Sequence, residues 1–256
     1  MKPSRVQVTL IQIDNYGPWT STLGSDREHR LQILQAELYS TLQRQFSSKN
    51  GLVFFNRFDE MLAVTNGISH TEHQEIQSNV LELFPFTVSM SIGVDVTPFK
   101  AHVHASKLLQ AAGSAQSEER RGVLAVDESM PVDEAYAQII HIDVDGITSI
   151  SDHSFAFETS LRLQRSHLDL MTLFRQLDSL LFYLGGDNFM AVTPELSEEN
   201  VAEKLSNYSL NGLRLKFGLG QAKTAREAAK IATMNLEHVR HERNRWIISP
   251  TPRDSR

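Results

Sequence analysis

Four aspartates stand at positions where carboxylates do chemistry. Asp14 closes the apolar run VQVTLIQI (residues 6 to 13), and Asp143 closes IIHID (139 to 143). Asp59 lies in the short polar break between LVFF and MLAVT, and Asp187 in the break between LLFYL and FMAVT. A carboxylate at a strand end and another at a hairpin tip converge when the two strands are neighbours in a β-α-β-β-α-β sheet. Two hard oxygen ligands so placed suit magnesium, which keeps several waters and completes its shell with phosphate oxygens. With two ions about 3.5 to 4 Å apart, one supplies hydroxide and the other stabilises a leaving oxygen or an electrophilic carbon. A nucleoside triphosphate is the ligand this chemistry fits.

A lone aspartate at a turn is a turn former in roughly three cases of four. Repetition reverses those odds. LVFFNRFDEMLAV (52 to 64) lies over LLFYLGGDNFMAV (180 to 192) without a gap, placing Asp59 on Asp187. IDNYG (13 to 17) lies over IDVDG (142 to 146), placing Asp14 on Asp143 and Gly17 on Gly146. The two offsets, 128 and 129 residues, nearly agree within one order of elements, which points to an internal duplication.

The elements that must hold these residues follow from periodicity. Alternation predicts a buried strand before Asp14. Ser25 and Glu28 form the S-x-x-E of a capping box, followed by Leu31, Leu34, Leu38, Leu42 and Phe46 at helical spacing. A hairpin around Asp59, a helix over about 71 to 83, the alternating strand Phe86 to Val94 and a helix opened by Pro98 complete the first half. The second half repeats the order, with a long helix carrying Phe157, Leu161, Leu168, Met171 and Leu177, the hairpin Gly185-Gly186-Asp187-Asn188, the strand LRLKFGLG (213 to 220) and a final helix to about Arg240. The expectation is α+β, two tandem ferredoxin-like subdomains over 1–112 and 138–245. A partly helical connector (113–137) joins them and a tail (246–256) follows.

Composition narrows the partners. A net charge of −6 with dispersed Lys and Arg offers no basic field for nucleic acid. No cysteine is present, so a disulfide framework, a Cys-ligated zinc site and a thiol nucleophile are excluded. No secretory signal and no stretch of about 20 apolar residues is seen, which predicts a cytoplasmic protein without membrane contact. Gly185-Gly186 is most simply a tight turn needing positive φ, and its other reading is close approach of a ligand to the backbone. The run from Gly218 to Thr224 fails the phosphate-loop pattern because Ala222 precedes Lys223, although Lys223 at a helix start could hold a phosphate.

The strings IQIDNYGPWT (11 to 20), FFNRFDEMLAVTNGI (54 to 68), FPFTVSMSIG (84 to 93), GSAQ (113 to 116) and YLGGDNFMAV (183 to 192) closely resemble archaeal GTP cyclohydrolase type III. That family is related in fold to polymerase palm domains and GGDEF-type cyclases. The resemblance implies magnesium-dependent opening of the guanine imidazole ring of GTP, with two ions and potassium assisting. The products it implies are 2-amino-5-formylamino-6-ribosylamino-4(3H)-pyrimidinone 5'-monophosphate and pyrophosphate, with phosphate following from separate hydrolysis. It makes Asp14, Asp59, Asp143 and Asp187 the metal ligands. It puts Asn15, Tyr16, Gly17, Arg57, Phe58, Gly185, Gly186 and Asn188 beside GTP, with Lys223 as a further contact. A homo-oligomer, dimer or tetramer, is expected. Glu60 stands where the family has Asn. Two other readings use the same residues: a nucleotidyl or dinucleotide cyclase that leaves guanine intact, and a non-catalytic GTP sensor suggested by the asymmetry between NRFDE and GGDNF.

Overall fold

A computed structural model describes residues 4–126, 136–145, 147, 154–206, 214–242 and 246–248. Gly146, expected to match Gly17, and much of the expected connector lie outside the described residues. The chain divides into two compact units, 1–96 with 100–135, and 97–99 with 136–256.

In the first unit β1 (Val6–Ile13) is the central strand. It is followed by α1 (Tyr16–Thr22), α2 (Glu28–Ser48), β2 (Leu52–Arg57), β3 (Glu60–Val64), α3 (His70–Leu83), β4 (Val88–Asp95), α4 (Pro98–Ala111) and β5 (Leu124–Val126). The sheet order is β2-β3-β1-β4-β5, antiparallel except for the parallel β4–β5 pair. Ile11, Ile13, Met61, Val88 and Met90 face Leu38, Leu42 and Phe46 of α2 and Ile76 and Val80 of α3. On the other sheet face α4 comes so close that a Cβ on Gly93 would stand 2.1 Å from the Ala101 carbonyl.

The second unit runs β6 (Ala137–Asp145), α5 (Ala156–Arg175), β7 (Leu180–Gly185), β8 (Asn188–Thr193), α6 (Glu198–Ser206), β9 (Arg214–Ala222), α7 (Ala225–Glu242) and β10 (Trp246–Ile248). Its order, β7-β8-β6-β9-β10, repeats the first, including a parallel fifth strand. The close helix recurs as well: a Cβ on Gly220 would stand 2.1 Å from the Ala228 carbonyl. Both sheets are therefore ferredoxin-like with an added edge strand.

Three expectations change. No side chain caps α2, whose N-cap is Arg27; the capping box forms instead at Ser69 and Glu72 on α3. Leu124–Val126 and Trp246–Ile248, assigned to connector and tail, are edge strands, each too short for periodicity to reveal. On α5 the apolar row Phe157, Leu161, Leu168 and Met171 is exposed, and Leu163, Leu170 and Phe174 enter the core with Thr159 and Ser166. Two interleaved rows shared the helical spacing, and the sheet took the one containing small polar residues.

Candidate active site

The register of the two central strands decides which aspartates correspond. Gln7 donates from Nε2 to the Thr65 hydroxyl (3.1 Å) and the Ile68 carbonyl (3.0 Å). Gln138 accepts from the Thr193 hydroxyl (2.8 Å) and donates to the Leu196 carbonyl (3.0 Å). With Gln7 on Gln138, the pairing of Gln12 with Glu60 falls on that of Asp143 with Asn188. Asp14 therefore matches Asp145, and Gln12 matches Asp143. This shifts the sequence alignment of Asp14 with Asp143 by two residues, a difference that local motifs cannot register but cross-strand pairing does.

Asp14 is buried and heavily partnered. Its Oδ1 accepts from Ser89 (2.6 Å), its Oδ2 from the Thr87 hydroxyl (2.7 Å) and the Gly122 amide (2.8 Å), and Arg120 Nη2 stands 3.4 Å from Oδ1. Arg120 Nη1 donates to Gln12 Oε1 (3.1 Å), and Gln12 Nε2 donates to Glu60. Asn56 and Arg57 also donate to Glu60. A polar chain thus runs from Asp14 through Arg120 and Gln12 to Glu60, along the sheet face that α4 covers. Beside it lies a cavity of about 430 Å³ lined by Gln12, Glu60, Ser106, Gln110, Ser114 and Arg120 among others. A second cleft of about 390 Å³ opens past Asp14 and Asn15 onto Trp19, Phe84, Phe86 and Arg121.

The hairpin tip adjoins this site through the backbone, because the Ile13 amide donates to the Asp59 carbonyl (3.0 Å). The Asp59 carboxylate itself pairs with Arg57 Nε at 3.4 Å. Burial, then the Asp59 charge, raises the pKa of Tyr16, whose hydroxyl accepts from Gln35 (2.7 Å). Asp59 and Asp14 are thus near neighbours whose carboxylates share no partner among the described residues. Asn15 takes a left-handed backbone (φ 50°), and its side-chain oxygen is buried without a hydrogen bond. The Gly17 amide donates to Gln116 Oε1 (2.9 Å), tying the GSAQ segment to the strand end. Phe58 is exposed at the hairpin tip.

In the second unit the corresponding positions are latched. Arg240 Nη2 donates to Asp143 Oδ1 at 2.6 Å, and Lys216 pairs with Asp145 at 3.0 Å. His141 Nε2 lies 3.1 Å from Asn188 Oδ1 and its Nδ1 lies 3.0 Å from the Thr233 hydroxyl. Burial lowers the His141 pKa, so Nε2 donates and Nδ1 accepts. Asn188 Nδ2 donates to Asp187 Oδ1 (2.8 Å). Gly185 and Gly186 have φ of 106° and 60°, and a Cβ on Gly185 would meet nothing within 4 Å, so the turn itself requires the glycine. Lys223 is exposed just before α7, one residue past the end of β9 and seven from Lys216, about 24 Å at roughly 3.4 Å per residue. The fold does not bring it to the aspartates.

Among the described residues no three His, Asp or Glu side chains gather as a metal cage. Magnesium needs less, one or two carboxylates with phosphate and water. Of the two Asp14 oxygens, Oδ1 has one hydrogen bond, from Ser89, and a looser Arg120 contact, whereas Oδ2 has two hydrogen bonds, so Oδ1 has the greater remaining acceptor capacity for that role. Sequence reasoning missed Arg120, Gln12 and Glu60 as a connected set. GSAQ was the available signal, because it leads straight into the turn that delivers Arg120.

Among the described residues no helix is long and apolar enough to cross a membrane. A solved GGDEF domain in complex with bis-(3',5')-cyclic di-GMP resembles 44% of this chain and 77% of its own length at 17% identity, with a TM-score of 0.38. GTP cyclohydrolase III of Methanothermobacter thermautotrophicus is 47% identical over 237 residues, 92% of this chain and 94% of that protein. GTP cyclohydrolase III of Methanobrevibacter smithii is 44% identical over 245 residues, 94% of this chain and 96% of that protein. The family description GTP cyclohydrolase III matches residues 8–249, from the central strand of the first sheet to beyond the edge strand of the second. With its duplicated sheets and strand-end aspartates, the chain belongs to the GTP cyclohydrolase III family.

Proposed function

We propose that the protein hydrolyses GTP to 2-amino-5-formylamino-6-ribosylamino-4(3H)-pyrimidinone 5'-monophosphate and pyrophosphate, with magnesium as the metal. The observation carrying this reading is family membership across nearly the whole chain. One water adds at C8 and the C8–N9 bond breaks, leaving C8 as a formyl group on N7; a second water cleaves between the α- and β-phosphates. Magnesium bound here supplies an activated water and charge neutralisation for the triphosphate. Asp14 and Asp59 would hold it in the first unit, Asp143 and Asp187 in the second, with potassium assisting. The first unit is the better candidate for turnover, because it has open cavities at the positions that His141 and Arg240 bridge in the second. Asn15, Tyr16 and Gly17 would position the nucleotide next to Asp14, and Trp19 and Phe86 offer aromatic surface for the guanine. Incubation with GTP and magnesium should give the formylaminopyrimidine by mass and remove guanine absorbance. Asp14→Asn should lose most of that product, and full activity in that variant would refute the assignment.

The exposed row on α5 is the face on which a homo-oligomer, dimer or tetramer, would form. Leu168→Glu should shift sedimentation towards the monomer; an unchanged profile removes α5 from the interface.

A further inference from the structure

Arg120 is unusual for a buried cation. It is 3% exposed, yet its Nε and Nη2 have no hydrogen bond, and only Nη1 is bonded, to Gln12 and the Gly113 carbonyl. Leaving a buried donor unbonded is costly, and more so for a charged group. Nε and Nη2 form the side of the guanidinium that donates to two oxygens of one group in bidentate fashion. The side chain lines the 430 Å³ cavity under α4, with the Ser106 and Ser114 side chains and the Gln110 amide around it.

The second unit supplies a comparison inside the molecule. Its guanidinium, Arg240, reaches the strand position equivalent to Gln12 from a helix, whereas Arg120 reaches it from the turn before β5. Arg240 is satisfied by Asp143 at 2.6 Å and Glu237 at 2.6 Å, and the space is bridged by His141 and Thr233. The fold thus does not require an unbonded guanidinium here; the first unit has one, beside a cavity.

We propose that Arg120 is a phosphate-binding residue, and that the cavity beneath α4 receives a phosphate of the nucleotide. The inference rests on the proposed GTP chemistry, which it deepens. The charges agree with a phosphate that arrives with a divalent cation. Asp14 and Glu60 border the same polar chain, so an anion alone would be repelled, and a cation on Asp14 Oδ1 would release Arg120 from its 3.4 Å contact to the phosphate.

The test is calorimetric titration with inorganic pyrophosphate in magnesium, beside product formation from GTP. Arg120→Lys keeps the charge and loses the fork; it should weaken pyrophosphate binding at least tenfold and raise KM for GTP more than it lowers kcat. Arg120→Gln should weaken binding further. Guanosine affinity should be unchanged in both. Should neither variant fold, Gln110→Trp, placed on the exposed end of α4, should weaken pyrophosphate by a similar factor by filling the cavity mouth. Parental pyrophosphate affinity in the folded variants overturns the proposal. The two readings fail separately: Arg120-dependent pyrophosphate binding without formylaminopyrimidine production refutes the reaction alone, and production with Arg120-independent binding refutes the phosphate site alone.

Discussion

Single residues separate conformational demand from chemistry. Gly185-Gly186 and Arg57-Phe58 occupy matched hairpins, and both hairpins bulge at the same place, after Phe55 and after Tyr183. Only the glycines adopt positive φ. The two tips are therefore different turns, and no part of the glycine requirement need come from a ligand. Gly185→Ala should cost about 1 to 3 kcal/mol, the range for a non-glycine residue held in a sparsely populated backbone region. Chemical denaturation reads that loss; a change within 0.3 kcal/mol would instead mean that the turn relaxes to another type. The sequence made the four aspartates conspicuous because it repeats them. It hid their true correspondence because IDNYG and IDVDG match best two residues away from the register that Gln7 and Gln138 impose.

At the scale of elements, the two central strands carry different interiors on the same frame. In the first unit the Thr9 hydroxyl contacts the Thr65 hydroxyl (2.8 Å) and His73 Nε2 (2.8 Å), and His73 Nδ1 meets the Ser69 carbonyl (2.8 Å). In the second unit the matching positions are Ile140 and Val201, both buried among apolar neighbours. Burial is the main cause that lowers the His73 pKa from 6.5 to about 4. Between those values the unfolded chain binds a proton that the folded chain refuses, so stability falls as pH falls through this window. The loss is about 2 kcal/mol by pH 5. Urea midpoints at pH 7 and pH 5 should show it, and the double replacement Thr9→Ile with His73→Val should flatten the difference; an equal slope in that variant would assign the acid sensitivity elsewhere. The strand and helix order was legible because periodicity reports which face is buried. The exposed row on α5 was not, since periodicity cannot say which of two apolar rows the sheet selects, and the three-residue edge strands were too short to have a period.

At the scale of the whole molecule, duplication has produced two sheets of one order with opposite states at the equivalent strand end. Asp14 is surrounded by neutral donors and one loosely placed guanidinium, beside an open cavity. Asp143 and Asp145 are closed by Arg240 and Lys216, and a metal entering there would have to break the 2.6 Å and 3.0 Å pairs. Removing one partner of a partly buried pair leaves the other charge uncompensated, so opening the second unit is the costlier event. The two units should therefore differ in metal affinity when nucleotide is present. Manganese serves as a magnesium surrogate that electron paramagnetic resonance can count, with a non-hydrolysable GTP analogue holding the substrate state. Asp14→Asn should remove the tightest nucleotide-dependent manganese, with affinity falling at least tenfold, about 1.4 kcal/mol. Asp143→Asn should leave that class in place and free Arg240. The reverse pattern, with the tight class lost on Asp143→Asn and kept on Asp14→Asn, would move the catalytic metal to the second unit and make the first a binding domain.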